Sequence, residues 1–425
     1  LLFDPGMGKT AIVLTYLRAM RMAGLINSAL IVAPLRVCDN VWPLEIKEWG
    51  FPFSTRFVHG SVAKRRQQLT SPADIHLVNP DGLAWLAQQK LPDWDCLIVD
   101  ESTQFKTWGA KRTRHLKRLL SRFRYRIILT GTPTPQSLHD LFSQLYIIDQ
   151  GQRLGKTVGS FRQRWFYRGG YGGYQWKTTP QGEREIPQAI ADIVLRADVA
   201  DHLQLPPLLV NDVRVTLPPT ARKRYRQMED DLFLSLADGE LIPKNAGGRY
   251  LACRQIANGG VYDDAGGVAE IHTAKVAAVS EIAESLAGKP VLIAYHFRHD
   301  LARLRRAFPA LPAINGDTST GESTRLIGKW NAGQLPMLAI QPQALSHGVN
   351  MQSGPGRDVI WFGLTDNLEN YEQVNKRLHR PGISGSVRVH RLIAKGTVDS
   401  HVARLLDRKQ SGQVALLKLL KGSRT

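Results

Sequence analysis

The sequence is short of cysteine, of acid and of long apolar runs. Its three cysteines, Cys38, Cys96 and Cys253, are scattered singly. They form neither a disulfide framework nor a zinc knuckle, which fits a reducing compartment. Asp and Glu number 37 against 56 Lys and Arg, a formal net charge of +19 with a pI near 10.0. A chain this basic favours a polyanionic partner, and nucleic acid is the natural one; charge alone leaves DNA and RNA both open. Apolar runs are far shorter than the ~18 residues of a membrane span, so no membrane partner is expected. No targeting segment is visible, and the chain opens at Leu1 inside what reads as a strand, so an upstream segment is expected to be missing. What is plentiful is apolar content, 43% of 425 residues, enough for two domains rather than one.

The richest stretch is LLFDPGMGKT at the start. Leu1–Phe3 read as the end of a buried strand, Gly6 and Gly8 as a tight turn, and Lys9–Thr10 as the opening of a helix. Strand, glycine turn and helix with Lys-Thr is the context of a phosphate-binding loop. Backbone N–H groups and the helix dipole would close on phosphate oxygens. Lys9 would reach the β- and γ-phosphates of a nucleoside triphosphate, and Thr10 would hold Mg²⁺ with its hydroxyl.

Strand and helix signals alternate through residues 1–150, the pattern of a parallel sheet with its polar residues at the carboxyl ends of the strands. DCLIVDES stops an apolar strand at Asp100–Glu101; Asp100 would serve the metal and Glu101 the attacking water. RIILTGTP ends in Thr130 and Thr132, placed to contact Glu101 and sense the γ-phosphate. LRVCDNVWPLEIKEW reads as a helix start offering Leu44 and Trp49 to a core. KRTRHLKRLLSRFRYR carries eight Lys or Arg and no acid, with Leu116, Leu119, Leu120 and Phe123 at helix spacing.

Residues 151–265 read as a middle segment. Its first part interleaves basic residues with seven aromatics, Phe161, Trp165, Phe166, Tyr167, Tyr171, Tyr174 and Trp176. That composition suits phosphate contact and base stacking, and equally an aromatic minicore. An extended strand follows, then a helix from about Thr220, then a glycine-rich loop over Asn258–Gly267. Residues 266–425 repeat the α/β alternation without a glycine–Lys-Thr loop, so the two units are expected to share one nucleotide in a cleft between them. NYEQVNKRLHRPG places Gln373, Arg377 and Arg380 at spacings of four and three, on one expected helix face. Two arginines so spaced suit a transferring phosphoryl group. SHGVNMQSG, with Gly348 and Asn350, reads as the loop coupling nucleotide state to bound nucleic acid.

These motifs together resemble the superfamily 2 helicase-type motors, and among them the Snf2-related translocases, most like the compact Snf2-like proteins of phages and bacteria. DPGMGKT resembles motif I, LIVAPLRVCDNVWPLEIKEW motif Ia, VDEST motif II and LTGTPTPQSLHDLFSQLYII motif III. VLIAYHF resembles motif IV, LSHGVNMQSG motif V and QVNKRLHRPG motif VI. The resemblance implies an α/β fold of two RecA-like parallel-sheet domains with a short helical or irregular middle segment. It implies ATP and Mg²⁺ as cofactors, Arg377 and Arg380 as arginine fingers, Gln373 near the γ-phosphate, and translocation on double-stranded DNA, with single-stranded DNA or RNA as other possible tracks. It also implies a protein of the cytoplasm or nucleoid, the host cytoplasm if viral, and a two-lobed design that works as a monomer. The sequence departs from the family pattern after motif V, where Gly363 and Asp366 replace an Asp and a Trp while Asn367 matches, and at Ser346, where the family often has Gly. The upstream glutamine motif that reads adenine is missing. Two other functions remain open: a strand-separating helicase, for which no wedge is identifiable, and a non-catalytic nucleic-acid clamp, against which Lys9, Glu101 and Arg377 all speak.

Overall fold

Continuous apolar runs too short for helices build two parallel sheets, one in each of two compact units. The computed structural model describes residues 1–3, 7–169, 175–197, 205–237, 246–263, 267–344 and 350–422. The first unit takes in Leu1–Gln204 and Ser411–Thr425, the second Leu205–Leu345 and Val349–Gln410. The segment read as a middle region, 151–265, is thus divided between the two.

In the first unit the chain runs β1 (Leu2–Phe3), α1 (Lys9–Met22), β2 (Ala29–Val32), α2 (Trp42–Glu48), β3 (Thr55–Phe57), α3 (Val62–Thr70), β4 (Ile75–Val78), α4 (Leu83–Leu86), β5 (Cys96–Asp100), α5 (Lys111–Lys117) and β6 (Tyr125–Leu129). Then come α6 (Leu141–Asp149), α7 (Val158–Trp165), β7 (Phe166–Gly169), β8 (Gln175–Thr178), α8 (Pro180–Ile190) and β9 (Arg196–Ala197). Five strands form a parallel sheet in the order β3-β4-β2-β5-β6. β1 pairs with β9 and bridges β6 through Leu2 and Thr130. Successive residues of each central strand enter opposite cores, as a two-residue period requires. Leu30, Val32, Leu97 and Val99 join one cluster, and Ala29, Ile31, Cys96 and Ile98 the other.

Two local expectations are corrected. Leu44 and Trp49 are exposed, and Trp42 and Ile46 are the buried residues of α2. A π-turn over Val37–Val41 leads into α2 and changes the phase of its apolar face, which spacing alone does not reveal. The basic stretch after Lys111 is helical only to Lys117; Leu116, Leu119, Leu120 and Phe123 are buried as expected, the last three from a 3₁₀ turn and the passage into β6.

The second unit begins with β10 (Leu208–Val215), followed by α9 (Pro219–Ala237), α10 (Ala246–Asn258), β11 (Gly260–Tyr262), β12 (Val268–Glu270), α11 (Ala274–Ser285), β13 (Val291–Ala294), α12 (Arg298–Ala307), β14 (Ala313–Ile314) and α13 (Thr320–Asn331). It closes with β15 (Met337–Ile340), β16 (Asp358–Trp361), α14 (Leu368–Leu378), β17 (Val387–Ala394) and α15 (Val398–Gly422), whose end is counted with the first unit. The six-stranded sheet is parallel, in the order β10-β17-β16-β13-β15-β14. Its strands alternate between two cores in the same way, Leu292 and Ala294 against Val291 and Ile293. The glycine-rich stretch expected to be a loop instead pairs Gly260–Tyr262 with Val268–Glu270 as an antiparallel hairpin.

Candidate nucleotide site

At the carboxyl edge of the first sheet, three chain passages meet. Gly8 caps α1 at φ +68°, a left-handed conformation that suits glycine, although a Cβ there would meet open space. Lys9 opens the helix and Thr10 is buried one residue on. Gly6 lies outside the described residues. Asp100 ends β5; its Oδ2 accepts a hydrogen bond from the Trp42 indole N–H at 3.2 Å, and its Oδ1 accepts from the Glu101 backbone N–H at 2.9 Å. Glu101 adopts φ 54° and ψ 58°, uncommon for a residue with a side chain and worth roughly 1–3 kcal/mol of backbone strain. Thr103 Oγ1 donates to Glu101 Oε1 at 3.4 Å.

The register Asp100↔Leu129 sets Glu101 level with Thr130 on the neighbouring strand. Thr130 Oγ1 accepts from the Thr132 backbone N–H at 3.0 Å, while among the described residues the buried Thr132 hydroxyl oxygen has no hydrogen-bond partner. A buried orphan hydroxyl beside a carboxylate edge fits a site that expects a polar ligand.

Sequence reading missed the residue that ties these loops together. Gln144, buried on α6, accepts at Oε1 from the Ser102 hydroxyl at 2.7 Å. Its Nε2 donates to Pro133 O at 2.8 Å and to Asp140 O at 2.9 Å. One side chain therefore holds the loop after Asp100–Glu101 and the loop after Thr132. The available signal was a polar Ser143-Gln144 pair inside the apolar run LFSQLYII. Ser143 does similar work, donating to Phe105 O at 2.5 Å.

In the second unit the structure revises one expectation. Gln373 and Arg377 lie on α14, but the helix ends at Leu378, so Arg380 stands in the turn beyond it. His379 takes a non-helical ψ of 83° and breaks the assumed helical spacing. Arg377 and Arg380 are nonetheless both buried. Arg380 Nε donates to Lys376 O at 2.8 Å, and its Nη1 bonds Asn350 Oδ1, so Asn350 and the second arginine are brought together. Burial pulls the Arg380 guanidinium down to about 10. Gln373 Nε2 reaches Glu369 Oε1 at 3.5 Å. Gly348 lies outside the described residues.

The residues expected to meet ATP and Mg²⁺ offer the right donors: hydroxyl and carboxylate oxygens for a hard cation, a helix N-terminus and a lysine for phosphates. Among the described residues there is no group of three or more His, Cys, Asp or Glu that could hold a metal ion.

Two parallel α/β units, one carrying a glycine-turned helix N-terminus beside an acidic strand end, define a RecA-like nucleoside triphosphatase. The SNF2-related domain matches residues 1–258. A putative protein p41 of Acyrthosiphon pisum secondary endosymbiont phage 1 is 36% identical over 98% of this chain and 93% of its own length. The human DNA annealing helicase and endonuclease ZRANB3 is 26% identical over 96% of this chain, which spans 37% of that longer protein. A solved Sulfolobus solfataricus SWI2/SNF2 ATPase core in complex with dsDNA aligns with 99% of this chain and 88% of its own, at 21% identity and a TM-score of 0.43. The chain belongs to the SNF2-related family. It is accordingly a nucleic-acid-dependent ATPase of the helicase-like class. Among the described residues no helix is long and apolar enough to cross a membrane.

Proposed function

We propose that the chain is a DNA motor that couples ATP hydrolysis to movement along double-stranded DNA. The observation that carries this reading is the gathering of Gly8–Thr10, Asp100–Glu101 and Thr130–Thr132 on one SNF2-related sheet. Gly6, Gly8 and Lys9 cradle the triphosphate. Thr10 and Asp100 would hold Mg²⁺, which would supply charge neutralisation to the triphosphate. Glu101 orients a water whose oxygen bonds the γ-phosphorus as the bond to the bridging oxygen breaks. ADP leaves with that electron pair, and the water's proton passes to the Glu101 carboxylate and on to inorganic phosphate.

Arg377 and Arg380 neutralise charge on the phosphoryl group in the transition state, and Gln373 contacts its oxygens. Thr130, Thr132, Gly348 and Asn350 pass the change in phosphate number to the DNA grip. Asn350 is suited to this because it already holds the Arg380 guanidinium. In functional terms we propose that residues 1–150 carry the ATP-binding motifs and 266–425 the second set of motor motifs, while 151–265, shared between the two compact units, links them along the chain. The protein acts as a monomer in the cytoplasm, on the nucleoid or on phage DNA.

The test is ATPase activity with duplex DNA, single-stranded DNA and RNA as separate activators, beside triplex-displacement and forked-duplex assays. We expect the strongest stimulation by duplex and displacement of the third strand. Arg380→Ala should lower stimulated turnover by roughly 10³-fold. Stimulation by RNA alone, or fork opening without triplex displacement, would replace the translocase with a helicase.

A further inference from the structure

The aromatic-basic stretch before α8 divides into a buried part and a presented part. Phe161, Trp165 and Phe166 are core residues; the Phe161 ring meets Trp165 edge-on at 5.5 Å and Phe166 at a tilt at 4.9 Å. Tyr171 and Tyr174 lie outside the described residues. Tyr167 is half exposed and Trp176 partly so, on the antiparallel pair β7–β8.

Trp176 is the centre of an unusual arrangement. Arg168, directly opposite it across the ladder, places its guanidinium carbon 5.1 Å from the indole centroid. Arg162, from α7, places its own at 5.0 Å. One ring thus gathers two like charges. On the other face of the hairpin, Tyr167 is paired with Lys177, whose stem lies where a side chain at Gly169 would be.

Counter-ions are distributed unevenly here. Arg153 is paired with Asp149 and Asp192, and Arg164 with Glu185. Among the described residues, neither Arg162, Arg168 nor Lys177 has a carboxylate in ion-pair reach. Arg162 instead donates from Nε to His139 Nε2 at 2.9 Å. His139 must be neutral to accept, and burial together with Arg162 holds it down to about 4. The structure fixes two cations on one tryptophan and orients one of them with a neutral acceptor, leaving the charge uncancelled. Stacked guanidiniums keep their N–H edges free for a planar or tetrahedral anion.

We infer that Arg162, Trp176 and Arg168 form a phosphate-binding clamp for the backbone of duplex DNA, separate from the nucleotide site, with Tyr167 and Lys177 flanking it. Charge complementarity selects this occupant: a duplex supplies phosphates at close intervals, and the chain as a whole is strongly basic. The inference rests on the DNA-motor reading and assigns that motor an additional grip on its track.

The experiment measures equilibrium binding of the full chain to a fluorescent duplex between about 50 and 200 mM salt, for wild type, Arg168→Gln and Arg162→Gln. Arg168 is exposed, so Arg168→Gln is expected to melt with the wild type. It should bind duplex more weakly and reduce the slope of log affinity against log salt by about 1. Poly-glutamate binding serves as a parallel arm. If wild type binds duplex and Arg168→Gln matches it in affinity and slope, the clamp is overturned and the motor reading stands. If the substitution weakens poly-glutamate binding alone, the clamp is overturned in favour of an acidic protein partner. If wild type hydrolyses ATP but never binds duplex, both readings fall.

Discussion

Gln144 shows how one side chain can hold two loops in place. Its carbonyl and amide hold Ser102 on one side and Pro133 on the other. Gln144→Leu would leave the Ser102 hydroxyl and the Pro133 carbonyl unsatisfied in the interior, costing about 1–3 kcal/mol. The loss should appear as lowered kcat for ATP with little change in KM, because the loops carry Glu101 and Thr132 rather than the phosphate cradle. Gln144→Glu, which keeps the acceptor and removes the donor, should retain the Ser102 bond and still lower kcat. Steady-state kinetics on both variants check this, and equal kcat in wild type and both variants would remove Gln144 from the mechanism. Residues of this kind are hard to read from sequence. Lys9, Thr10, Asp100 and Glu101 announce themselves by position next to glycines and strand ends. Gln144 does not, since its value lies in contacts with residues 42 and 11 positions away.

Elements were legible to the extent that local pattern decides them. The apolar strands and the helices behind the glycine turn follow directly from runs and periods, and β5 ends at Asp100 as its carboxylates suggest. Where a turn intervenes, the pattern misleads: the π-turn before α2 rotates its buried face onto Trp42, and the early end of α14 removes Arg380 from the helix. Gly363 is another case, a departure from the family pattern with a packing reason. A Cβ there would lie 2.4 Å from Asn258 Nδ2. Asn258 cannot retreat, because Asp300 accepts from its Nδ2 at 2.9 Å and Lys275 donates to its Oδ1 at 2.8 Å. Lys275 in turn pairs with Asp399 at 2.7 Å. Restoring the family aspartate with Gly363→Asp should therefore destabilise the second unit by about 1–3 kcal/mol through overpacking alone, with a further cost from a new carboxylate near Asp300. Urea unfolding would reveal it as a lowered midpoint, and an unchanged midpoint would contradict the packing account.

The whole molecule carries a set of partly to fully buried histidines whose titration sets its acid limit. His139, His272, His296 and His299 are each held down to about 4, with burial the first cause. Their ordinary value is 6.5, so the native state binds fewer protons than the unfolded chain between about pH 6.5 and 4, and stability falls as pH drops through that window. Asp300 works the other way. Burial raises its carboxyl to about 6 from 3.8, so protonation on acidification relieves a cost in the native state. Four histidines outweigh one aspartate, and the melting temperature should fall between about pH 7.5 and about pH 5. A melting temperature that holds or rises over that range would refute this ordering. The two-unit plan itself was visible in the repeated strand-helix alternation. The division of residues 151–265 was not, because β10 joins the second sheet by pairing with β17, a strand 179 positions later in the chain.

All three thiols lie in the interior and are free. Burial raises the thiol of Cys38, lifts Cys96 to about 12 and Cys253 to about 11, so at neutral pH almost no thiolate is present to react. The native protein is in effect blank to maleimide dyes. A cysteine introduced at any exposed position can be labelled alone, without first stripping out the natural ones, and fluorescence can then follow each unit during turnover in an otherwise unaltered chain.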